Sequence, residues 1–159
     1  MKGQVVVIGV MMMFLLTGCS DPVQDDLLTY VNEDLKDLAD LENEAIAEYE
    51  SVTGDNYVDD YTTYVHIEDV VMPMYKDFLD QLEEVDPATA EVREIHELYI
   101  EAVNMQNNAF IKILAALDQQ DYEMIADANE MLAEGRAGIR KYTNELERLA
   151  EEHNVELTE

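Results

Sequence analysis

Apolar side chains recur at helical spacing from about Asp25 almost to the C-terminus, and they fall into four stripes. In the first, Leu28, Val31, Leu35, Leu38, Ala45 and Tyr49 share one face of a helix expected over Asp25–Glu50. Ser51–Asn56 then interrupts the pattern, with Gly54 suited to a left-handed stop. The second helix is expected to begin at Asp59 or Asp60, either of which can cap it, and it carries Tyr61, Tyr64, Val71, Tyr75, Phe78 and Leu82. Pro73 lies inside this helix, where it removes a backbone donor and crowds the preceding turn. A kink is expected there, with a hinge or a break into two helices as the alternatives. Asp86-Pro87 reads as a cap followed by a first-turn proline. It opens a third helix whose stripe is Val92, Ile95, Tyr99, Ala102, Phe110, Ile113 and Leu117. Asp121 caps the fourth, and Glu123 sits where the helix dipole favours an anion.

The fourth stripe is the cleanest. Ile125, Ala128, Leu132, Gly135, Ile139, Tyr142, Leu146 and Leu149 follow one another at alternating intervals of 3 and 4 residues. That is the seam of left-handed supercoiled packing. Gly135 and Gly138 each weaken the helix by about 1 kcal/mol relative to Ala, so a neighbouring backbone is expected to approach closely at both. With short linkers and helices roughly 37 to 50 Å long, the spacing predicts an all-α fold, an antiparallel up-down-up-down four-helix bundle. A long helical hairpin that completes its core by dimerising is the alternative. The expected core includes Leu35, Leu38, Phe78, Tyr99, Phe110, Leu132, Ile139 and Leu146.

Ahead of the stripes stands a segment of another kind. Met1-Lys2-Gly3-Gln4 carries one cation, and Val5–Leu16 is apolar throughout except for Gly9. The apolar run is too short to span a bilayer, which takes about 20 residues, and it fits the core of a signal peptide. Leu16-Thr17-Gly18-Cys19 follows. This resembles the lipobox of bacterial lipoproteins. The resemblance implies diacylation of the Cys19 thiol and cleavage after Gly18. It divides the chain into a signal peptide (1–18), an acylated tether (19–24) and a helical bundle (25–159). At class level the chain is similar to small helical lipoproteins of Bacillus-like bacteria, anchored at the extracytoplasmic face of the cell membrane.

Composition narrows the field further. The chain of 159 residues holds 37 Asp and Glu against 9 Lys and Arg, a net charge of −28. Nucleic acid and bare anionic lipid are poor partners for such a surface, because both demand clustered cations. A single Cys excludes an intrachain disulfide and a multi-cysteine metal site. The first mature helix is the most acidic, whereas the fourth holds Arg136, Arg140, Lys141 and Arg148, so some pairing between them is expected. The acidity itself reads as a solvated face that keeps a monomer soluble.

Motifs for chemistry are sparse. Asp55–Asp60 is rich in carboxylates, yet a calcium loop opening at Asp55 would need Gly where Asp60 stands and Glu where His66 stands. Turn and capping duty is the expected role. Three residues before His66, His96 and His153 stand Thr63, Arg93 and Ala150, so the Glu-x-x-His pair of a di-iron bundle is missing. There is no nucleophile elbow and no phosphate-cradling glycine loop. No enzyme, cofactor or metal site is therefore assigned. The expected role is a helical binding or scaffold module whose partners are the membrane, through Cys19, and another envelope protein. The alternative is a small-ligand or cation-binding lipoprotein.

That alternative has one candidate site. The first stripe skips a position at Glu42, the second at Glu68, and the third is filled by Gln106. Counted from the helix ends, all three fall at one level in an antiparallel bundle, with Arg136 opposite on the fourth helix. Two carboxylates in one dry layer cannot both stay charged without compensation. Arg136, a proton or a cation would supply it. The plainer expectation is that Leu41 and Val65 turn inward instead and both Glu side chains reach water.

Overall fold

The computed structural model describes residues 21–157, and among these the chain is helical with no strand. The helices are α1 (Pro22–Thr29), α2 (Lys36–Glu50), α3 (Asp60–His66), α4 (Met72–Glu83), α5 (Ala90–Gln119) and α6 (Tyr122–Glu152). Two π-helical turns, Tyr30–Asp34 and Ile67–Val71, join α1 to α2 and α3 to α4, which leaves four helical stretches.

The π turns decide which face is buried. Leu35 N–H donates to the Tyr30 carbonyl at 3.0 Å, and Met72 N–H donates to that of Ile67. A turn closed by such wider rings holds about one residue more than an α turn. On its N-terminal side the buried stripe therefore sits one residue earlier than a pure α-helix would put it. Leu27 and Tyr30 are buried where Leu28 and Val31 were expected, and Leu28 is exposed. In the second stretch Thr63 and Ile67 are buried, while Tyr61 and Glu68 face outward. The second π turn ends just before Pro73, whose ring crowds the carbonyl four residues back. The wider turn gives that carbonyl room, so the stretch continues through the proline.

Two starts differ from expectation. Asp21 caps α1, its carboxylate accepting from Val23 N–H at 3.1 Å and Gln24 N–H at 3.4 Å, with Pro22 in the first turn. The first helix thus starts ahead of the expected Asp25. The α5 helix begins at Ala90 and not at Pro87. The residues just ahead of it are held by Asp26 of α1, which accepts from Ala88 N–H at 3.0 Å, Thr89 N–H at 2.7 Å and the Thr89 hydroxyl at 2.6 Å. Burial pushes the Asp26 carboxyl up, but these donors outweigh it and hold it below the usual carboxylate range. Asp121 caps α6 as expected, and of the two candidates for α3 it is Asp59 that accepts from Thr62 N–H, at 2.7 Å.

Packing is closest between α5 and α6; α2 lies on α4, and α4 and α1 lie on α5. Leu38, Phe78, Tyr99, Phe110 and Leu132 are buried in the core, with Leu35, Ile139 and Leu146 partly buried around it. The glycines of α6 mark the closest approach. A Cβ on Gly138 would stand 2.7 Å from the Cβ of Ala102, and one on Gly135 would stand 2.5 Å from Cγ of Gln106.

At one pole, His153 Nδ1 meets Asp21 Oδ2 at 2.6 Å, and Gln24 Nε2 donates to the His153 carbonyl at 2.8 Å. At the other, the Thr63 hydroxyl donates to the Val52 carbonyl at 3.0 Å and His66 meets Glu48 at 2.8 Å. The expected pairing of α6 arginines with the first stretch is not formed. Arg148 pairs within its own helix with Glu145 and Glu152, and Arg136, Arg140 and Lys141 make no salt bridge among the described residues. None of the described helices is long and apolar enough to cross a membrane.

Candidate functional site

A cleft of about 350 Å³ opens where α2, α5 and α6 meet. Ile46, Tyr49, Phe110, Leu132 and Ile139 form its apolar walls, and Glu42, Glu50, Gln106, Arg136 and Arg140 supply its polar groups. Gln106 is buried because Gly135, having no side chain, leaves room for it between α5 and α6. The Glu42 carboxylate is fixed from behind by Tyr99, whose hydroxyl donates to Oε2 at 2.5 Å. Tyr99 in turn stacks on Tyr142, with ring centroids 4.5 Å apart and planes 9° from parallel. Burial pushes the Glu42 carboxyl up, and the Tyr99 bond offsets only part of that rise.

Further polar groups lie deeper. The Tyr30 hydroxyl meets His96 Nδ1 at 3.1 Å, and burial lowers the imidazole, so the ring is neutral at physiological pH. Tyr142 is pushed up to about 12, chiefly by burial. The Tyr75 hydroxyl is buried without a hydrogen-bond partner and is held protonated by burial and by the charge of Glu42.

Of the four residues the sequence singles out, three line this cleft: Glu42, Gln106 and Arg136. Glu68 does not, because the π turn at Ile67–Val71 rotates it outward, where it accepts from the Tyr64 hydroxyl at 3.0 Å. The proposed layer of two facing carboxylates is corrected accordingly. Arg136 lies in the cleft but closes no salt bridge with Glu42; the carboxylate is answered by Tyr99 instead. Among the described residues no group of three or more His, Cys, Asp or Glu side chains is placed to hold a metal ion. Cys19, the expected lipid attachment site, lies outside the described residues. The burial of Tyr30 could not be read from apolar spacing, which does not show a π turn, and His96 stood out in the sequence only for the metal motif it lacks.

The cleft sets two guanidinium groups and two carboxylates against apolar walls. Two guanidinium groups at its rim suit a carboxylate or phosphate, and its walls suit an apolar body. It contains no nucleophile paired with a base. Residues 1–157 match the family model described as EMYY-motif containing lipoprotein. The chain belongs to this family. The match runs through the N-terminal apolar segment, Cys19 and the whole helical body, so this EMYY-motif lipoprotein is membrane-associated through a lipid anchor. The tetrapeptide Glu-Met-Tyr-Tyr does not occur in it; Glu-Met stands at 123–124 and again at 130–131, both in α6. No curated protein and no solved structure matches this EMYY-motif lipoprotein.

Proposed function

We propose that this lipoprotein is a monomeric, extracytoplasmic helical module, held at the cell membrane by lipid on Cys19 and serving to bind another envelope component. Its four helical stretches run up-down-up-down. The observation that carries the reading is the capped start of α1: only Ser20 separates Cys19 from Asp21, the residue that caps the helix and meets His153. An anchor so close to the folded body sets the Asp21–His153 pole against the bilayer and turns the opposite pole away from it. The family match supports the anchoring. Replacing Cys19 by Ser is expected to abolish lipid incorporation and move the protein out of the membrane fraction. Unchanged labelling with a fatty acid would overturn the reading.

A second reading assigns the cleft a small ligand, and the shared placement of Glu42, Gln106 and Arg136 favours it. Its cation form loses support with Glu68 on the outside. An amphipathic acid fits better: its anionic head would meet Arg136 and Arg140, and its apolar part would lie against Phe110 and Leu132. Extraction of protein purified from native membranes, followed by mass spectrometry, is expected to recover such a compound, and Arg136→Ala to reduce it. Equal recovery from both proteins counts against the cleft.

A further inference from the structure

The pole that this reading turns away from the membrane carries a group of large, exposed apolar and aromatic side chains. Val58 is 74% exposed, Tyr61 78% and Tyr122 83%, with Tyr57 beside them at 50%. Local structure holds them there. The left-handed residue Gln120, at φ 53°, ends α5 and swings the chain into Asp121 and Tyr122. Across from this corner, the start of α3 brings Asp60, Tyr61 and Tyr64 against Leu117, Asp118, Gln119 and Gln120, leaving a shallow groove between them. The Tyr57 hydroxyl donates to Asp60 at 2.7 Å, which ties its ring to the start of α3. Exposed aromatic side chains gathered at one place mark an interaction surface more often than scattered ones do.

Charge identifies what the surface fits. Asp59, Asp60 and Asp118 stand beside these tyrosines, Asp121 and Glu123 flank Tyr122 in the chain, and the sequence has no Lys or Arg between Lys36 and Lys76 or between Lys112 and Arg136. A second copy of the chain would bring acids onto acids, and an anionic bilayer would be repelled in the same way. An Arg- or Lys-bearing segment satisfies both features: its cations pair with the carboxylates and stack on the tyrosine faces, and its apolar side chains cover Val58 and the groove. We propose that the pole formed by Tyr57, Val58, Tyr61 and Tyr122 docks a cationic, partly apolar segment of another protein. This deepens the reading of the chain as an anchored binding module, and it relies on that reading only for the direction in which the pole points.

The test is a titration of the full lipidated protein, in detergent micelles, with a fluorescent peptide of alternating Arg and Leu. Saturable binding is expected. Tyr61→Ala with Tyr122→Ala alters no charge and should weaken it about ten-fold, the scale of losing aromatic anchors. Tyr61→Phe with Tyr122→Phe keeps the rings and should retain most of the affinity. Glu101→Gln with Glu134→Gln removes two charges elsewhere, beside Gly138, and should change it less than about two-fold, as exposed charges do. Circular dichroism should show every variant folded, since both tyrosines are exposed. If the Ala pair binds like the parent, the acidic coat alone attracts the peptide and the proposal fails. It also fails if the parent forms dimers in sedimentation that the Ala pair does not. The Cys19→Ser fractionation reads the anchor independently, so the two ideas fail separately.

Discussion

Glu42 is a carboxylate that the fold partly buries without closing a salt bridge to it. Burial raises its pKa and the Tyr99 hydroxyl pulls it partly back, leaving the folded value above the ordinary 4.5. A group shifted upward contributes its full stability below its unfolded pKa and loses that contribution as pH rises through the folded one. Glu42→Gln keeps an acceptor for Tyr99 and cannot ionise. The variant is therefore expected to be more stable than the parent at pH 8, with the difference shrinking as pH falls toward 4. Urea melts across that range check it; a gap that widens in acid would contradict the assignment. Glu42 and Gln106 were legible in the sequence as polar residues standing where an apolar stripe should continue. Glu68 stood out by the same logic and proved external, because a π turn shifted the stripe by one residue. Tyr30 was hidden for the same reason in reverse. Adjacent Leu27 and Leu28 allow either of two stripes, and spacing alone does not choose between them.

Among the elements, α6 was the most legible because nothing interrupts it. Its alternating seam needs no correction from Ile125 to Leu149, and its two glycines sit where α5 comes closest. The first two stretches were less legible, since each holds an α-helix, a π turn and a second α-helix. The start of α5 was hidden as well: the acid that serves it, Asp26, is more than sixty residues away in sequence. The close approach at α6 makes a sharp prediction. Gly138→Ala gains about 1 kcal/mol of helix propensity, but the new methyl would lie 2.7 Å from the Ala102 Cβ, which is fixed to the backbone and cannot swing aside. Separating the helices should cost about 1 to 3 kcal/mol, so packing is expected to win and the variant to be less stable. Adding Ala102→Gly removes the opposing methyl and should restore the pairing in a double-mutant cycle. Additive losses would show that the two positions do not touch.

At the scale of the whole molecule, charge opposes folding more than it assists it. The net charge is −28, and the clear cation–carboxylate pairs among the described residues are Lys76–Asp80, Lys112–Asp127 and those of Arg148. Exposed pairs of this kind contribute about 0 to 1 kcal/mol each, whereas every pair of like charges within a screening length repels. The two effects respond to salt in opposite ways. If the ion pairs dominated, added salt would weaken the fold. If self-repulsion dominates, raising ionic strength from about 0.01 M to 0.15 M shortens the screening length from about 30 Å to 8 Å and strengthens it. Long stretches of helix without a single Lys or Arg favour the second outcome. The melting temperature is expected to rise with sodium chloride at pH 7, by roughly 2 to 4 °C for each kcal/mol of repulsion relieved in a domain of this size. The rise should diminish toward pH 4, where protonation of the carboxylates removes the repulsion that salt would otherwise screen. A melting temperature that falls with salt at pH 7 would mean that the few surface pairs, and not the surplus of acids, set the electrostatic balance.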